Sequence, residues 1–146
     1  MTSYEGQCHC GALAVEYVSS IAPSETYLRA CQCAFCRMHQ SLAVSDPGGS
    51  LTFTETRPGG VELYRFGLKT SDFLVCKTCG AYGGALMAHQ GKTVGIANIH
   101  LFDAKEAFTG GPAPMDYSAE DLEARIARRA EKWMPATLRR ASDALS

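Results

Sequence analysis

The chain has 146 residues, a formal net charge of −1, 46% hydrophobic residues and 20% charged residues. This length suits a single domain, and this balance excludes an intrinsically disordered protein. A charge near zero gives no electrostatic footprint for nucleic acid or for an anionic membrane surface, so neither is an expected partner. The sequence has no apolar stretch long enough to span a membrane and no signal-peptide pattern, which predicts a cytoplasmic protein.

Short runs of alternating residues predict that most of the chain is β structure. Apolar residues at Leu13, Val15 and Tyr17 follow the two-residue period of a half-buried strand. Pro and Gly at 46–50 and 57–60 supply turns where the backbone must reverse. Further runs bounded by turn-forming residues predict strands at 27–31, 42–45, 51–54, 61–66, 73–76, 85–89 and 93–99.

A segment rich in Gly and Pro divides the domain into two parts. This predicted linker, at 110–117, separates a β region at 1–109 from a helical segment at 118–146. The predicted architecture is therefore one domain, residues 1–146, that is mainly β and carries a C-terminal amphipathic helix.

The C-terminal segment has the apolar pattern of a helix that docks on a sheet. Ser118 is the expected N-cap, and Pro135 is expected to end the helix. A further helical turn is expected within 136–145. The arginine pairs at 128–129 and 139–140 are expected to face solvent. The residues at helical spacing that would face the sheet are Leu122, Ile126, Ala130 and Trp133.

Seven cysteines are the unusual feature of this composition. The number is odd, and proteins of the reducing cytosol seldom keep disulfides, so metal ligation is the better interpretation. A Gly that follows a Cys pair allows the positive-φ turn that aims backbone N–H groups at sulfur, and Gly11 and Gly80 occupy such positions. The cysteines form three groups: Cys8 with Cys10, then Cys31, Cys33 and Cys36, then Cys76 with Cys79.

Seven sulfur ligands divide most simply into a set of four and a set of three. A structural zinc takes four protein ligands, whereas a catalytic zinc takes three and keeps one position for substrate or water. Two Zn²⁺ ions per chain are therefore expected, and a thiol arriving at the three-ligand ion would lose its proton there. The structural site, called the outer cluster, consists of Cys8, Cys10, Cys76 and Cys79. The catalytic site, called the triad, consists of Cys31, Cys33 and Cys36.

Three other interpretations of these cysteines stay open at this point. A Cys-x-x-Cys pair can be a redox dithiol, but such pairs open a helix after a strand, and the sequence shows no such pattern after Cys36 or Cys79. An iron–sulfur cluster can also use three cysteines, yet the spacing of the triad does not match the usual clusters. In the third interpretation both zinc ions are structural, and His39, three residues after Cys36, completes the second site.

Taken together, the three motifs resemble the glutathione-dependent formaldehyde-activating enzyme family, also called S-(hydroxymethyl)glutathione synthases, which includes a centromere protein V-like branch. The first motif, Gly-x-Cys-x-Cys-Gly, runs from Gly6 to Gly11. The second, Cys-x-Cys-x-x-Cys-Arg, ends at Arg37, and the third, Cys-x-x-Cys-Gly, ends at Gly80. The resemblance implies a mainly antiparallel β-tent fold with two zinc–thiolate sites, the outer cluster being structural and the triad catalytic.

The resemblance also implies a reaction and its partners. The chain would be a zinc-dependent carbon–sulfur lyase that joins the thiol of glutathione, or another small thiol, to formaldehyde or another small aldehyde. Because glutathione is anionic, a cationic side chain is expected beside the triad, and Arg37 is the first candidate for binding glutathione. Weaker candidates, for binding or for proton transfer, are Arg65, Lys69, Lys92, His100 and Asp103.

Two alternative functions follow from the same residues. The chain departs from the residues usual in the family at Gln32, Val75 and Ala81, which fits a changed pocket for another small aldehyde, imine or thiol adduct. In the second alternative the domain is a non-catalytic binding module whose fold is stabilised by zinc. That alternative predicts that protein ligands fill both metal sites.

Overall fold

A computed structural model of the chain describes residues 1–141. Strands predominate, and each of the predicted strand runs overlaps an observed strand. The strands are β1 (Thr2–Gln7), β2 (Leu13–Ser19), β3 (Arg29–Cys31), β4 (Ala43–Val44), β5 (Ser50–Glu55), β6 (Val61–Tyr64), β7 (Asp72–Cys76), β8 (Tyr82–His89), β9 (Lys92–Asn98), β10 (Ala113–Met115) and β11 (Met134–Arg139). The α-helices in this part of the chain are α1 (Ala34–His39) and α2 (Leu122–Lys132).

The sheet is mixed, which corrects the predicted antiparallel arrangement. Strands β1, β2 and β5 pair antiparallel, and so do the consecutive strands β6 to β9. Strand β11 joins these two groups, because it lies parallel to β5 and antiparallel to β9. Strand β10 lies parallel to β3. Both parallel strands follow long connections, which let the chain cross the sheet before it pairs, whereas a short hairpin imposes antiparallel pairing.

Three strands and one α-helix lie outside the predicted elements. Strand β1 precedes the first predicted run, β10 lies inside the predicted linker, and α1 follows β3 directly. Strand β11 replaces the helical turn expected from residue 136, so the segment predicted as helical contains one helix and then a strand. Met134 and Ala136 are buried on either side of the exposed Pro135, which is the two-residue period of a strand. Residues 142–145 of the expected turn lie outside the described residues.

Helix α2 starts three residues later than predicted. Its N-cap is Asp121, whose Oδ1 accepts the backbone N–H of Ala124 at 2.8 Å. Ser118, the expected N-cap, donates its backbone N–H to Oδ1 of Asp116 at 2.9 Å and so belongs to the preceding loop. The helix ends at Lys132, before Pro135, as expected. Across residues 1–141, none of the helices has the length and apolar character needed to cross a membrane.

Buried side chains form two clusters, and the smaller one lies beside the triad. The larger cluster includes Tyr17, Phe53 and Leu74, none of which has exposed surface. Burying one large apolar side chain stabilises the fold by about 1.5–3 kcal/mol, so each cluster holds its strands firmly together. The smaller cluster consists of Phe73, Tyr82, Ala85, Met87 and Trp133, with Phe35 of α1 and Ile126 of α2 packed against it. It therefore joins the helix that carries part of the triad to the helix near the C-terminus.

Gly6 lies where β1 meets the backbone after β9. It forms an antiparallel bridge with Phe102, and a Cβ atom at this position would lie 1.8 Å from the carbonyl oxygen of Leu101. Because backbone must shift to make room, we expect Gly6→Ala to lower the free energy of unfolding by about 1–3 kcal/mol, the usual cost of overpacking. Denaturant unfolding followed by circular dichroism measures this loss. The control is Gly111→Ala, where nothing lies within 4 Å of an added Cβ, and equal stability of the two variants would contradict the close approach.

Candidate functional site

The outer cluster forms where two β-turns meet. Cys8 and Cys10 lie in the turn between β1 and β2, while Cys76 ends β7 and Cys79 lies in the turn before β8. The four sulfur atoms all lie within 4.8 Å of one another, and the Sγ atoms of Cys10 and Cys76 are 3.3 Å apart. The predicted set of four is thus brought together, and it can hold a metal ion.

Both turns aim backbone N–H groups at sulfur. The N–H of Leu13 donates to Sγ of Cys8 at 3.3 Å, and the N–H of Cys79 donates to Sγ of Cys76 at 3.4 Å. Gly11 and Gly80 follow the second cysteine of each pair with φ of 87° and 78°, as predicted. A residue with a Cβ is strained at such angles, so glycine is the residue that these turns require.

Hydrogen bonds around the outer cluster favour the thiolate form of Cys10, and they also lower the pKa of Cys79. The backbone N–H of Ala12 and the neighbouring thiols of Cys76 and Cys8 lower the pKa of Cys10 to about 6. The Nη2 atom of Arg57 also donates to Sγ of Cys10 at 3.0 Å. Donors that stabilise thiolate sulfur prepare a site for a cation, because metal ions bind the deprotonated form.

The triad forms at the junction of β3 and α1. Cys31 ends β3, Cys33 is the N-cap of α1, and Cys36 is buried one turn into this helix. The three sulfur atoms lie within 4.8 Å of one another, and the N–H of Cys36 donates to Sγ of Cys33 at 3.4 Å. Met115 of β10 supports the junction, since its carbonyl oxygen accepts the N–H of Gln32 at 2.9 Å. The triad can hold a second metal ion.

The protein supplies three ligand atoms at this second position, not four. In residues 1–141 no histidine or carboxylate joins the three sulfur atoms. His39, the candidate for a fourth ligand, packs its ring against Phe35 and Tyr82, with centroids 4.6 and 5.8 Å apart. The outer cluster and the triad therefore differ in ligand number, as the division into four and three predicted.

Helix α1 removes one ground against a redox dithiol. No helix was predicted after this motif, but Cys33 is the N-cap of α1 and Cys36 lies in its first turn, shortly after β3, so that prediction was wrong. The third sulfur now distinguishes the two interpretations. A hydrogen bond with Cys36 lowers the pKa of Cys31 to about 6, and the same interaction together with burial raises the pKa of Cys36. Three sulfur atoms within reach of one another form a chelate that a two-cysteine redox pair does not need.

A cleft of about 180 Å³ opens beside the triad. Its apolar wall comes from the smaller core cluster and includes Phe73, Tyr82 and Trp133. Its polar wall comes largely from β3 and α2. The arginines that line it are Arg29, Arg125, Arg128 and Arg129. A cleft with an apolar wall and a few convergent charged groups is the usual form of a small-molecule site.

The cations predicted from the sequence do not line this cleft. Arg37 is exposed on α1, and Arg65 is paired with Asp72 at 2.5 Å. Neither Lys69 nor Lys92 contributes to the lining. The two candidates for proton transfer also lie elsewhere: Nε2 of His100 is 2.8 Å from the carbonyl oxygen of Gln40, and Asp103 is exposed with its N–H bound to the carbonyl oxygen of Glu5.

The arginines of α2 line the cleft, which was not predicted from the sequence. The pair at 128–129 was expected to face solvent, but only 8% of Arg129 is exposed and Arg128 is half-buried. One signal was available: Arg125 and Arg129 are spaced four residues apart in line with Trp133, which belongs to the predicted apolar stripe. Residues four apart share a helix face. The face that docks on the sheet thus carries charge as well as apolar groups.

Comparisons with known proteins support the fold but indicate no function. No protein-family model and no curated protein matches the chain. A crystal structure of a Rhodobacter sphaeroides protein from the Northeast Structural Genomics programme is similar, with a TM-score of 0.57 and 24% sequence identity over 76% of this chain and 99% of that one. This likeness shows a shared fold. The resemblance of the motifs to the formaldehyde-activating family stays a prediction.

Proposed function

We propose that the chain is a zinc-dependent carbon–sulfur lyase that joins the thiol of glutathione to formaldehyde at the triad. The observation that carries this proposal is the unequal ligand number: the outer cluster has four sulfur ligands, whereas the triad has three and borders a cleft. Three protein ligands beside a cleft are the arrangement of a catalytic zinc, and four are that of a structural zinc.

The ligand types fit zinc at both sites. Each cluster offers only thiol sulfur, all seven cysteines are free, and soft sulfur ligands select zinc over hard cations such as Mg²⁺ or Ca²⁺. Bound at the triad, Zn²⁺ would supply the Lewis acidity that lowers the pKa of an arriving thiol. Cys31, Cys33 and Cys36 would hold that ion, and Cys8, Cys10, Cys76 and Cys79 would hold the structural one.

The residues of the chain contribute to the reaction by positioning the two reactants. The sulfur of glutathione adds to the carbonyl carbon of formaldehyde, so a C–S bond forms, the C=O π pair moves to oxygen, and that oxygen takes the proton that the thiol lost. No oxidant or reductant is needed. Side chains such as Phe73 and Tyr82 limit the access of water on one wall of the cleft. When both reactants are bound in the cleft, a bimolecular reaction becomes effectively unimolecular.

The test is the rate at which formaldehyde exchanges with its glutathione adduct. In ¹³C exchange NMR with labelled formaldehyde and zinc-loaded protein, we expect the exchange to be faster than the spontaneous one by about tenfold or more, a barrier lower by about 1.4 kcal/mol. Bovine serum albumin at equal thiol concentration is the control for non-specific addition. Exchange no faster than in the control would overturn this proposal, and faster exchange with another aldehyde would instead support the alternative substrate.

A non-catalytic module makes a different prediction for the metal. In that case added glutathione leaves the coordination of both ions unchanged. We expect instead that X-ray absorption at the zinc edge shows an average sulfur number that rises when glutathione is added, because the triad has room for one more sulfur.

A further inference from the structure

A buried cation on the wall of the cleft has no acidic partner. Only 8% of Arg129 is exposed, and its Nη1 donates to the hydroxyl oxygens of Thr70 at 2.5 Å and Ser71 at 3.1 Å. Its Nε has no hydrogen-bond partner. Within residues 1–141 no ion pair involves Arg129. Burying an unpaired charge costs free energy, so we expect the buried guanidinium of Arg129 to bind an anionic group of a ligand.

The carboxylates in and near the cleft do not supply that counter-ion. Asp116 lines the cleft, but it is exposed, accepts the backbone N–H of Ser118 at 2.9 Å and forms no ion pair with an arginine of residues 1–141. Glu120 is engaged by two neighbours, accepting from Nε of Arg128 at 2.7 Å and from Nε of Arg125 at 3.4 Å. Arg29, on β3, donates to the hydroxyl of Ser45, and no ion pair in the described part of the chain involves it. The cleft therefore holds two guanidinium groups, those of Arg29 and Arg129, whose charge no carboxylate of residues 1–141 balances.

Burial does not remove the charge of Arg129. Loss of hydration lowers the pKa of its guanidinium to about 10, which leaves the group protonated at neutral pH. A protonated guanidinium presents N–H donors in a planar fork that matches the two oxygens of a carboxylate. The same cleft is lined by the three cysteines of the triad. One molecule in the cleft can therefore face the triad and the guanidinium groups at once.

We propose that Arg129 and Arg29 form an oxyanion subsite that binds a carboxylate of the thiol substrate while its sulfur lies at the triad. The identity of the thiol rests on the proposed function, but the subsite does not. The substrate class that follows is a thiol carrying at least one carboxylate. A neutral thiol of the same size leaves both guanidinium groups without a counter-ion and binds more weakly.

The chain contains a built-in reporter for this subsite. Trp133 is the only tryptophan of the sequence, and the guanidinium carbon of Arg129 lies 4.7 Å above its ring. A carboxylate that pairs with this guanidinium changes the electric field at the indole. Binding at the subsite is therefore expected to change the fluorescence of Trp133 without any chemical reaction.

The experiment compares glutathione with its diethyl ester, which lacks both carboxylates. Zinc-loaded protein is titrated with each thiol in the absence of formaldehyde. Isothermal titration calorimetry gives the Kd of each thiol, and the emission of Trp133 reports whether a carboxylate reaches Arg129. We expect the Kd of glutathione to be lower than that of the ester by about tenfold or more, a difference of about 1.4 kcal/mol. Arg129→Gln is expected to remove this preference, whereas Arg37→Gln, on the exposed face of α1, is expected to keep it.

The results separate this inference from the proposed function. Equal Kd values for acid and ester, no change in the emission of Trp133 when glutathione binds, or an undiminished preference in Arg129→Gln would overturn the subsite. If Arg129→Gln does not fold, as judged by circular dichroism, Arg29→Gln takes its place with the same expected loss. A preference for the acid in a protein that never accelerates adduct formation would uphold the subsite and overturn the lyase. Accelerated adduct formation without a preference for the acid would uphold the lyase and overturn the subsite.

Discussion

Replacing Cys79 by serine is expected to leave the protein without a stable fold. The outer cluster ties the β1–β2 turn to the β7–β8 turn, and 66 positions separate Cys10 from Cys76. Structural zinc contributes about 10–16 kcal/mol to small zinc domains. That is as large as the whole stability of a typical domain, about 5–15 kcal/mol. A serine hydroxyl is a poor zinc ligand, so most of this contribution is lost.

Zinc content and circular dichroism of the purified variant measure this effect. We expect the Cys79→Ser protein to be aggregated or to show no cooperative thermal transition. Thr78→Ser is the matched control, since it changes the adjacent exposed residue of the same turn without touching a ligand. A Cys79→Ser protein that keeps two zinc ions and a native transition would show that the outer cluster is not a structural site.

Replacing Cys33 by serine is expected to abolish activity and leave the fold largely intact. Cys33 is the N-cap of α1, where its sulfur accepts the N–H of Cys36. Serine is among the best N-cap residues, so the helix keeps its first hydrogen bond after the substitution. The triad loses one of three ligands, however, and two sulfur atoms hold zinc much less firmly than three. Metal and reaction are therefore lost together.

Three measurements check this second variant. Zinc stoichiometry is expected to fall from two ions to one, the formaldehyde exchange rate to the spontaneous value, and the thermal midpoint by only a few degrees, about 1 kcal/mol. Met38→Ala is the control, because Met38 is exposed on α1 and does not line the cleft. If Cys33→Ser keeps its activity, the triad is not the reaction centre. If both cysteine variants fold and react normally, the division of the seven cysteines is wrong.

The two cysteine clusters could be predicted from the sequence because the spacing of candidate ligands is a local property. Cysteines two or three residues apart must lie close together in any fold, and the glycine after each outer pair marks the turn that aims N–H groups at sulfur. Joining Cys10 to Cys76 needed only ligand counting. The ligand sets of four and three that the structure brings together follow from the same count.

The cleft could not be predicted in the same way, since its lining depends on tertiary packing. Arg129 of α2 and Trp133, which caps the helix, lie four residues apart. Without knowledge of the sheet beneath the helix, a charged residue such as Arg129 is predicted to be exposed to solvent. Strand β11 was also missed, because Met134 and Ala136 fit both a short helical turn and a strand edge. Its parallel pairing with β5 arises from residues far away in the chain.

The ligands of the two clusters become available at different stages of chain synthesis. The triad lies wholly within residues 31–36, so its three ligands leave the ribosome together and close almost no loop. The outer cluster must bridge the 66 positions between Cys10 and Cys76, and closing such a loop costs chain entropy that grows with the logarithm of its length. Its four ligands are complete only once Cys79 has been made. During translation the triad is therefore the first of the two clusters to have all its ligands present, and the outer cluster is complete only after most of the sheet has been made.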